Sequence, residues 1–370
     1  MRKNPSKKLK NKGEGMKNKA LKISLVILVS LVLFVVLVLS VVKIGERAIF
    51  APFFANSETE FKVPGIADGF VQQGFDYYEG NQKSDEDDRY LVSGYMNDGS
   101  DSRVYVLDKD GNVLAYTELK GEDGKSYTGH CGGITHNGNY VYISNDDKEN
   151  VNGSIDVFSL TEILDGKKET TKMLGSIYVY LKPSFCYVHE GVLYTGNFHK
   201  PDHEDYKSPD DFLVSKENND NTAMMLAFNL NASEIDNFGV AKEPSRAYSI
   251  TSQVQGICMA DGKLVISTSW GLSPSHLLVY DWEKVNKESV PTGIFTNKTV
   301  YKENAMEKAI PLYIINSDDI EKDITAPPMA EELVYKDGKV LVMNESASAM
   351  YIFGRFTSGN NVYGYILNDK

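Results

Sequence analysis

The stretch Gly256-Ile257-Cys258-Met259-Ala260-Asp261-Gly262-Lys263-Leu264-Val265-Ile266-Ser267-Thr268 carries the reading of the fold. A short apolar run meets an Asp-Gly pair, and a second run rich in β-branched residues follows. Asp-Gly between two such runs signals a tight hairpin, because glycine takes the positive φ that the turn requires. His276-Leu277-Leu278-Val279-Tyr280-Asp281 then supplies a third strand.

The same order recurs on either side of this stretch. Gln73 to Gly80 leads into Tyr90 to Tyr95, Gly133 to Gly138 into Tyr140 to Ser144, Phe185 to Gly191 into Val192 to Gly196, and Glu332 to Gly338 into Lys339 to Met343. Third strands follow as Arg103 to Asp108, Ser154 to Phe158, Met225 to Asn229 and Ala349 to Phe353, and in the first copy a fourth runs from Asn112 to Leu119. Units of three or four antiparallel strands, repeated at spacings of roughly 50 to 75 residues, describe propeller blades, in which each small sheet buries its faces against its neighbours. The expectation is an all-β chain, a β-propeller with five blades favoured over six. Phe61 to Val71 or Val362 to Leu367 is expected to complete a blade by ring closure. A sandwich would not repeat a strand-turn-strand-loop-strand order so regularly.

On these blades the chain resembles the bacterial propellers with YVTN, NHL or lactonase-type repeats, over Phe61 to Leu367. The resemblance is one of architecture. Such propellers include binding modules, lactonases and metal-dependent hydrolases, so the fold does not select among functions. The resemblance to the lactonase type implies a metal among axial Glu, Asn and Asp residues. Glu331 matches that pattern, whereas Gln73, His130, Ser184 and Gln255 depart from it.

The 370 residues carry a net charge of -12, with 51 acidic against 39 basic side chains, the wrong sign for a nucleic-acid partner. That figure conceals a split: Met1 to Arg47 carries +9 and the remainder -21. Ile23 to Val42 holds only Ile, Leu, Val, Phe and three serines, long enough to cross the hydrocarbon core of a bilayer. The span exceeds the h-region of a cleaved signal peptide, and the basic residues before it place the N-terminus in the cytoplasm. The expected organisation is a basic cytoplasmic tail over 1–22, a transmembrane signal anchor over 23–43, a linker over 44–60 and an extracellular propeller over 61–370. The bias toward Lys, Asn, Asp and Tyr suits a low-GC bacterium. Three cysteines, Cys131, Cys186 and Cys258, are too few for a disulfide framework and read as buried free thiols.

In a propeller the residues just before each innermost strand converge near the axis. Here they are Gln73, His130, Ser184, Gln255 and Glu331, polar in every copy, which points to a wet axial funnel. A second set follows the second strands: Asn97 and Asp98, Asn145 and Asp146, Asn197 and His199, Ser269 and Trp270, Asn344 and Glu345. Amide side chains beside an aromatic ring suit a sugar or another polar small molecule. The expected ligand-binding residues are therefore Gln73, His130, Ser184, Gln255, Glu331, Trp270, Asn145 and Asn197. No cofactor and no metal site is expected, with Ca²⁺ as the candidate ion for these oxygen-rich loops. His199 to Asp205 contains Pro201, which breaks the helix a zinc motif needs, so Lys200 to Asn221 reads as a solvated insertion. Asp108-Lys109-Asp110-Gly111-Asn112 reads as a hairpin turn rather than a calcium loop.

No nucleophile elbow, P-loop, dinucleotide fingerprint or zinc signature occurs in the outer part, and no catalytic residue is assigned. The expected function is a membrane-anchored extracellular propeller that binds a small molecule, glycan or partner protein without chemistry. The alternative is a hydrolase or lactonase, Ca-dependent or not, acting at the funnel with Ser184, His130 and Glu331.

Overall fold

The structure, a computed structural model, describes residues 5–80, 85–145, 153–203, 206–207, 214–216, 219–231, 233–234, 237–288, 293–295, 309–348 and 350–367. It divides into two units, 1–49 and 50–370. The first unit is a single α-helix, Pro5–Ile49. Its segment Leu21–Ile49 has a mean hydropathy of 3.5 over its most apolar window, and none of that window is buried by protein. At about 1.5 Å per residue it exceeds the roughly 30 Å of a bilayer core, the property of a membrane anchor or a signal sequence.

The second unit is a five-bladed propeller, one four-stranded antiparallel core per blade. In chain order the innermost strands are Phe70–Tyr78, Gly133–Asn137, Phe185–His189, Val254–Ala260 and Ala330–Lys336. Each contacts the next, and the fifth contacts the first, so the ring is closed. Closure uses both ends of the chain: Ser57–Lys62 pairs antiparallel with Asn361–Ile366, which pairs with Lys339–Asn344. The segment expected as a linker therefore supplies the outer strand of the last blade. The third strand of that blade is Asn361–Ile366, not Ala349 to Phe353, where a 3₁₀ helix over Ile352–Phe356 stands instead. In that loop Gly354 packs so closely on Ser346 that a Cβ would stand 2.3 Å from its backbone carbon.

Two blades gain extra strands from the chain of the following blade. Thr170–Lys172 adds in parallel to Val113–Lys120 of blade 1, and Ile310–Ile314 adds in parallel to Arg246–Ile250 of blade 3. Both additions cover an edge that would otherwise expose unpaired backbone groups.

The hairpins follow the turn chemistry. Glu190-Gly191, Asp261-Gly262 and Asp337-Gly338 join the first two strands of blades 3, 4 and 5, and both residues of each pair have positive φ. That is the type I′ turn, whose twist matches the strands it joins. At Asp108 the side chain accepts hydrogen bonds from the amides of Asp110 and Asn112, and Leu107 faces Val113 across the expected hairpin turn.

The core lies between blades. Along Lys339–Asn344, Val340 and Val342 face the cluster shared with blade 4, whereas Leu341 and Met343 face the one shared with blade 1. Leu264 and Ile266 likewise pack toward blade 3 while Val265 packs toward blade 5. A strand buried on both faces reads as one apolar run, which is why the second strands lack polar alternation. Hydroxyls at the same level tie blade to blade: Ser93 Oγ donates to the carbonyl of Cys131 at 3.2 Å, and Ser267 Oγ to that of Glu331 at 2.7 Å. Cys131, Cys186 and Cys258 are buried free thiols.

Candidate functional site

Three of the five innermost strands carry a β-bulge near their start, between Gln72 and Phe75, between Val254 and Gly256, and between Ala330 and Leu333. The bulges hold Gln73, Gln255 and Glu331. An extra residue in one strand of a pair re-aims its side chain, and all three line one cavity of about 540 Å³ at the axial end of the ring. His130 and Ser184, from the segments entering blades 2 and 3, line the same cavity. Cys131, Gln253 and Met329, each within two residues of one of these side chains, have φ of 58°, 60° and 63°. Left-handed backbone at non-glycine residues costs of order 1–3 kcal/mol each and collects where geometry is held for a purpose.

One wall is aromatic. Phe198, Tyr206 and Trp270 line the cavity and touch one another, with ring centroids 5.4 Å apart for Phe198–Tyr206, 5.8 Å for Tyr206–Trp270 and 5.9 Å for Phe198–Trp270. His203 packs on both Tyr206 and Trp270, so the start of the expected insertion folds against the cavity rim. Lys200 sets its ammonium 5.3 Å from the Trp270 centroid and 3.8 Å from Asp202.

The lining is also acidic. Glu331 and Glu345 are buried, and Glu345 follows the second strand of blade 5 in a 3₁₀ turn, Glu345–Ala347. Tyr95 donates to Glu345 Oε1 at 3.5 Å and stacks on His130 with centroids 5.1 Å apart. Burial pushes the Glu345 carboxyl up to about 7, against the opposing pull of His130 and of hydrogen bonds from Gln73 and Tyr95. The Tyr351 hydroxyl is pushed up to about 12 by burial first, then by the charges of Glu345 and Glu331. The lining contains no Lys and no Arg among the described residues.

Ser269 also belongs to this lining, whereas Asn145, Asn197 and Asn344 lie outside it. The Asn145 amide donates to Asp156 at 3.0 Å, and Asn197 Oδ1 accepts from the amide of Met224 at 2.8 Å. Asn344 donates to the carbonyls of Pro327 and Pro328, holding the loop that leads into Glu331. These amides shape loops. Asp146, Glu204 and Asp205 lie outside the described residues. Among the described residues no three His, Cys, Asp or Glu side chains gather as a metal site. Ser184 Oγ is 3.3 Å from the carbonyls of both Gly196 and Val254.

Sequence reasoning passed over Tyr95, Phe198, Tyr206 and Tyr351 as lining residues. Tyr351 was concealed by reading its loop as a strand. Tyr95 carried a usable signal, two positions before Asn97 at the end of a second strand.

No family model matches the chain, and no curated protein does. Solved structures match it distantly. Glutaminyl cyclase from Myxococcus xanthus is 10% identical over 77% of this chain and 90% of that one, with a TM-score of 0.39. Hydrazine synthase from Kuenenia stuttgartiensis is 12% identical over 76% and 81%, with a TM-score of 0.37. BamB from Moraxella catarrhalis is 11% identical over 75% and 56%, with a TM-score of 0.29. Likenesses this distant carry no argument about function.

Proposed function

We propose that the chain is a single-pass membrane protein, its N-terminus cytoplasmic and its propeller extracellular, that binds a polar small molecule or glycan in the axial cavity. Gln73, His130, Ser184, Gln255, Glu331 and Trp270 are its contact residues, and its blades are of the bacterial YVTN, NHL or lactonase kind. The observation that carries this reading is the convergence of five polar residues, one from each blade, on one cavity beside Trp270. Three of them stand in bulges, which the sheets alone do not need. The orientation rests on the +9 segment preceding the apolar helix.

Thermal-shift measurements on the full chain in detergent, against soluble glycans, cell-wall fragments, amino acids and amines, test the binding claim. A ligand that stabilises the protein, and no longer does so in the Gln255→Leu and Trp270→Leu variants, supports the site. A ligand unaffected by both variants moves binding elsewhere, and no stabilising compound in the whole set defeats the proposal.

A second reading, hydrolysis at the same cavity, draws on Glu345. A buried carboxyl titrating near neutrality beside His130 has the properties of a general acid or base. Turnover of a lactone and ester panel, with and without Ca²⁺, by wild type and by the Glu331→Gln and Glu345→Gln variants decides it. No turnover, or turnover indifferent to both substitutions, removes catalysis from this cavity.

A further inference from the structure

We propose that the axial cavity takes an organic cation, an ammonium-bearing small molecule held between the carboxylates of Glu331 and Glu345 and the rings of Trp270, Tyr206 and Phe198. The inference rests on reading the cavity as a ligand site and names the class of ligand.

The lining is asymmetric in charge. It holds two buried acids, and against them only the imidazole of His130, with no Lys or Arg among the described residues. An anionic ligand would face two carboxylates with no fixed cation to receive it. A neutral sugar would bring no positive charge to a lining that holds two acids and one imidazole. An ammonium group supplies that charge.

The aromatic wall points the same way. A ring presents a negative face to a cation, most strongly in tryptophan, and several rings around one site give the arrangement used to hold ammonium groups. Phe198, Tyr206 and Trp270 stand in mutual contact on one side of the cavity. Tyr351 lines the same cavity as Tyr206 and Trp270 and feels the charges of Glu345 and Glu331, so acids and rings border one space. Trp270 already holds one cation, the ammonium of Lys200 at 5.3 Å. Lys200 stands outside the lining and is paired with Asp202, so it occupies ring surface without neutralising the acids inside. A cationic ligand would therefore compete with Lys200 for Trp270, and this gives the test a direction that a merely structural Trp270 would not produce.

Isothermal titration of the full-length protein in detergent at pH 8 uses choline and n-butylamine as cations, 3,3-dimethylbutan-1-ol as the neutral isostere of choline, glucose as a neutral polyol and acetate as an anion. Expected are binding of one or both cations, at least about tenfold weaker binding of the neutral isostere, a loss of about tenfold in Trp270→Leu, and tighter binding in Lys200→Met. Glu345→Gln is expected to weaken the cation by a similar factor. Should that variant fail to fold, the opposite responses of Trp270→Leu and Lys200→Met still decide the question. Equal binding of choline and its neutral isostere, or binding of glucose or acetate in place of the cations, overturns the ligand class while the cavity remains a ligand site. Silence of all five probes also overturns the ligand class. Silence extending to the whole thermal-shift library overturns the site itself.

Discussion

The carboxylate of Glu332 accepts a hydrogen bond of 2.7 Å from the backbone amide of Ile134, a residue 198 positions earlier in the chain. The same oxygen accepts from the amide of Phe75 at 2.8 Å, so one side chain of blade 5 ties the innermost strands of blades 1 and 2. Register gives the reason. Gly133, Cys186 and Gly256 stand opposite Ser144, Thr195 and Ser267 in their second strands, and Gly74 and Glu332 occupy the matching places in the bulges of blades 1 and 5. Three glycines and a cysteine leave the axis open, and one glutamate fills it.

Burial pushes the Glu332 carboxyl well up, in spite of the amides that donate to it. A neutral carboxyl there is nearly isosteric with an amide. Glu332→Gln is accordingly expected to cost about 1 kcal/mol, whereas Glu332→Ala, which leaves two buried amides unpaired beside a cavity, costs about 3 kcal/mol or more. Denaturant unfolding of the two variants checks this. Equal losses would mean that the group is ionised in the fold.

Gly133 and Gly256 have no room for a side chain. A Cβ at Gly133 would stand 2.6 Å from the amide nitrogen of Cys186 and 2.9 Å from Glu332 Oε1, and one at Gly256 would stand 2.4 Å from Glu332 Cα. Backbone cannot move aside as a flexible side chain can. Gly256→Ala is expected to destabilise by about 1–3 kcal/mol, read as a lowered unfolding midpoint. A neutral result would show that the axis is looser than this packing.

Glu345 sets a pH dependence whose sign is fixed. Its carboxyl is raised from the ordinary 4.5 to about 7, so the folded state holds the proton more tightly than the unfolded chain. Stability from this group is full below pH 4.5 and declines as pH rises through 7, with a total change of roughly 3 kcal/mol at most. Glu345→Gln is expected to raise the Tm relative to wild type more at pH 8 than at pH 5. A pH-independent difference between the two proteins contradicts the assignment.

The same proton competes with a cationic ligand. Above pH 7 the carboxylate is available, and below it the proton occupies the group that the ligand would face. Choline affinity is expected to fall by about tenfold in all as pH drops below 7, and binding at neutral pH to release a fraction of a proton. Titration in buffers of different ionisation enthalpy measures that release. Affinity flat from pH 5.5 to 8 excludes Glu345 from the contact.

Ring closure depends on residues ahead of the first repeat. Phe53 is fully buried and stacks on Tyr365, with centroids 5.6 Å apart. Phe53→Ala is expected to cost about 3–5 kcal/mol. Glu58→Pro, which removes a ladder amide at the position paired with Gly364, should cost about 1–3 kcal/mol. Thermal unfolding of both variants reports on the last blade, and a Tm unchanged by either would show that Ser57–Lys62 does not close the ring.

The blade pattern was legible because hairpin chemistry is local: Asp261-Gly262 and Asp337-Gly338 form type I′ turns whatever surrounds them. The fifth blade was legible only in part. Met350 to Phe353 is as apolar as a strand, and nothing local says that Gly354 must pack on Ser346. Placement of Gln73, Gln255 and Glu331 near the axis followed from their position before apolar strands, but the bulges that aim them are relations between two strands. Asn145 and Asn197 make bonds within their own blades, outside the cavity lining. Their residue type suited a ligand, and their neighbours recruited them to hold loops.

By itself the sequence determined a hydrophobic N-terminal helix, five hairpin units and their order, because these follow from composition over short windows and from the φ preference of glycine. The tertiary structure alone decided which strand closes the ring, that Glu332 fills the axis left by Gly74, Gly133 and Gly256, and that Glu345 and Tyr351 face the cavity with Trp270. Those facts join residues hundreds of positions apart. Such contacts depend on the space left by the other blades, which no single segment of the chain encodes.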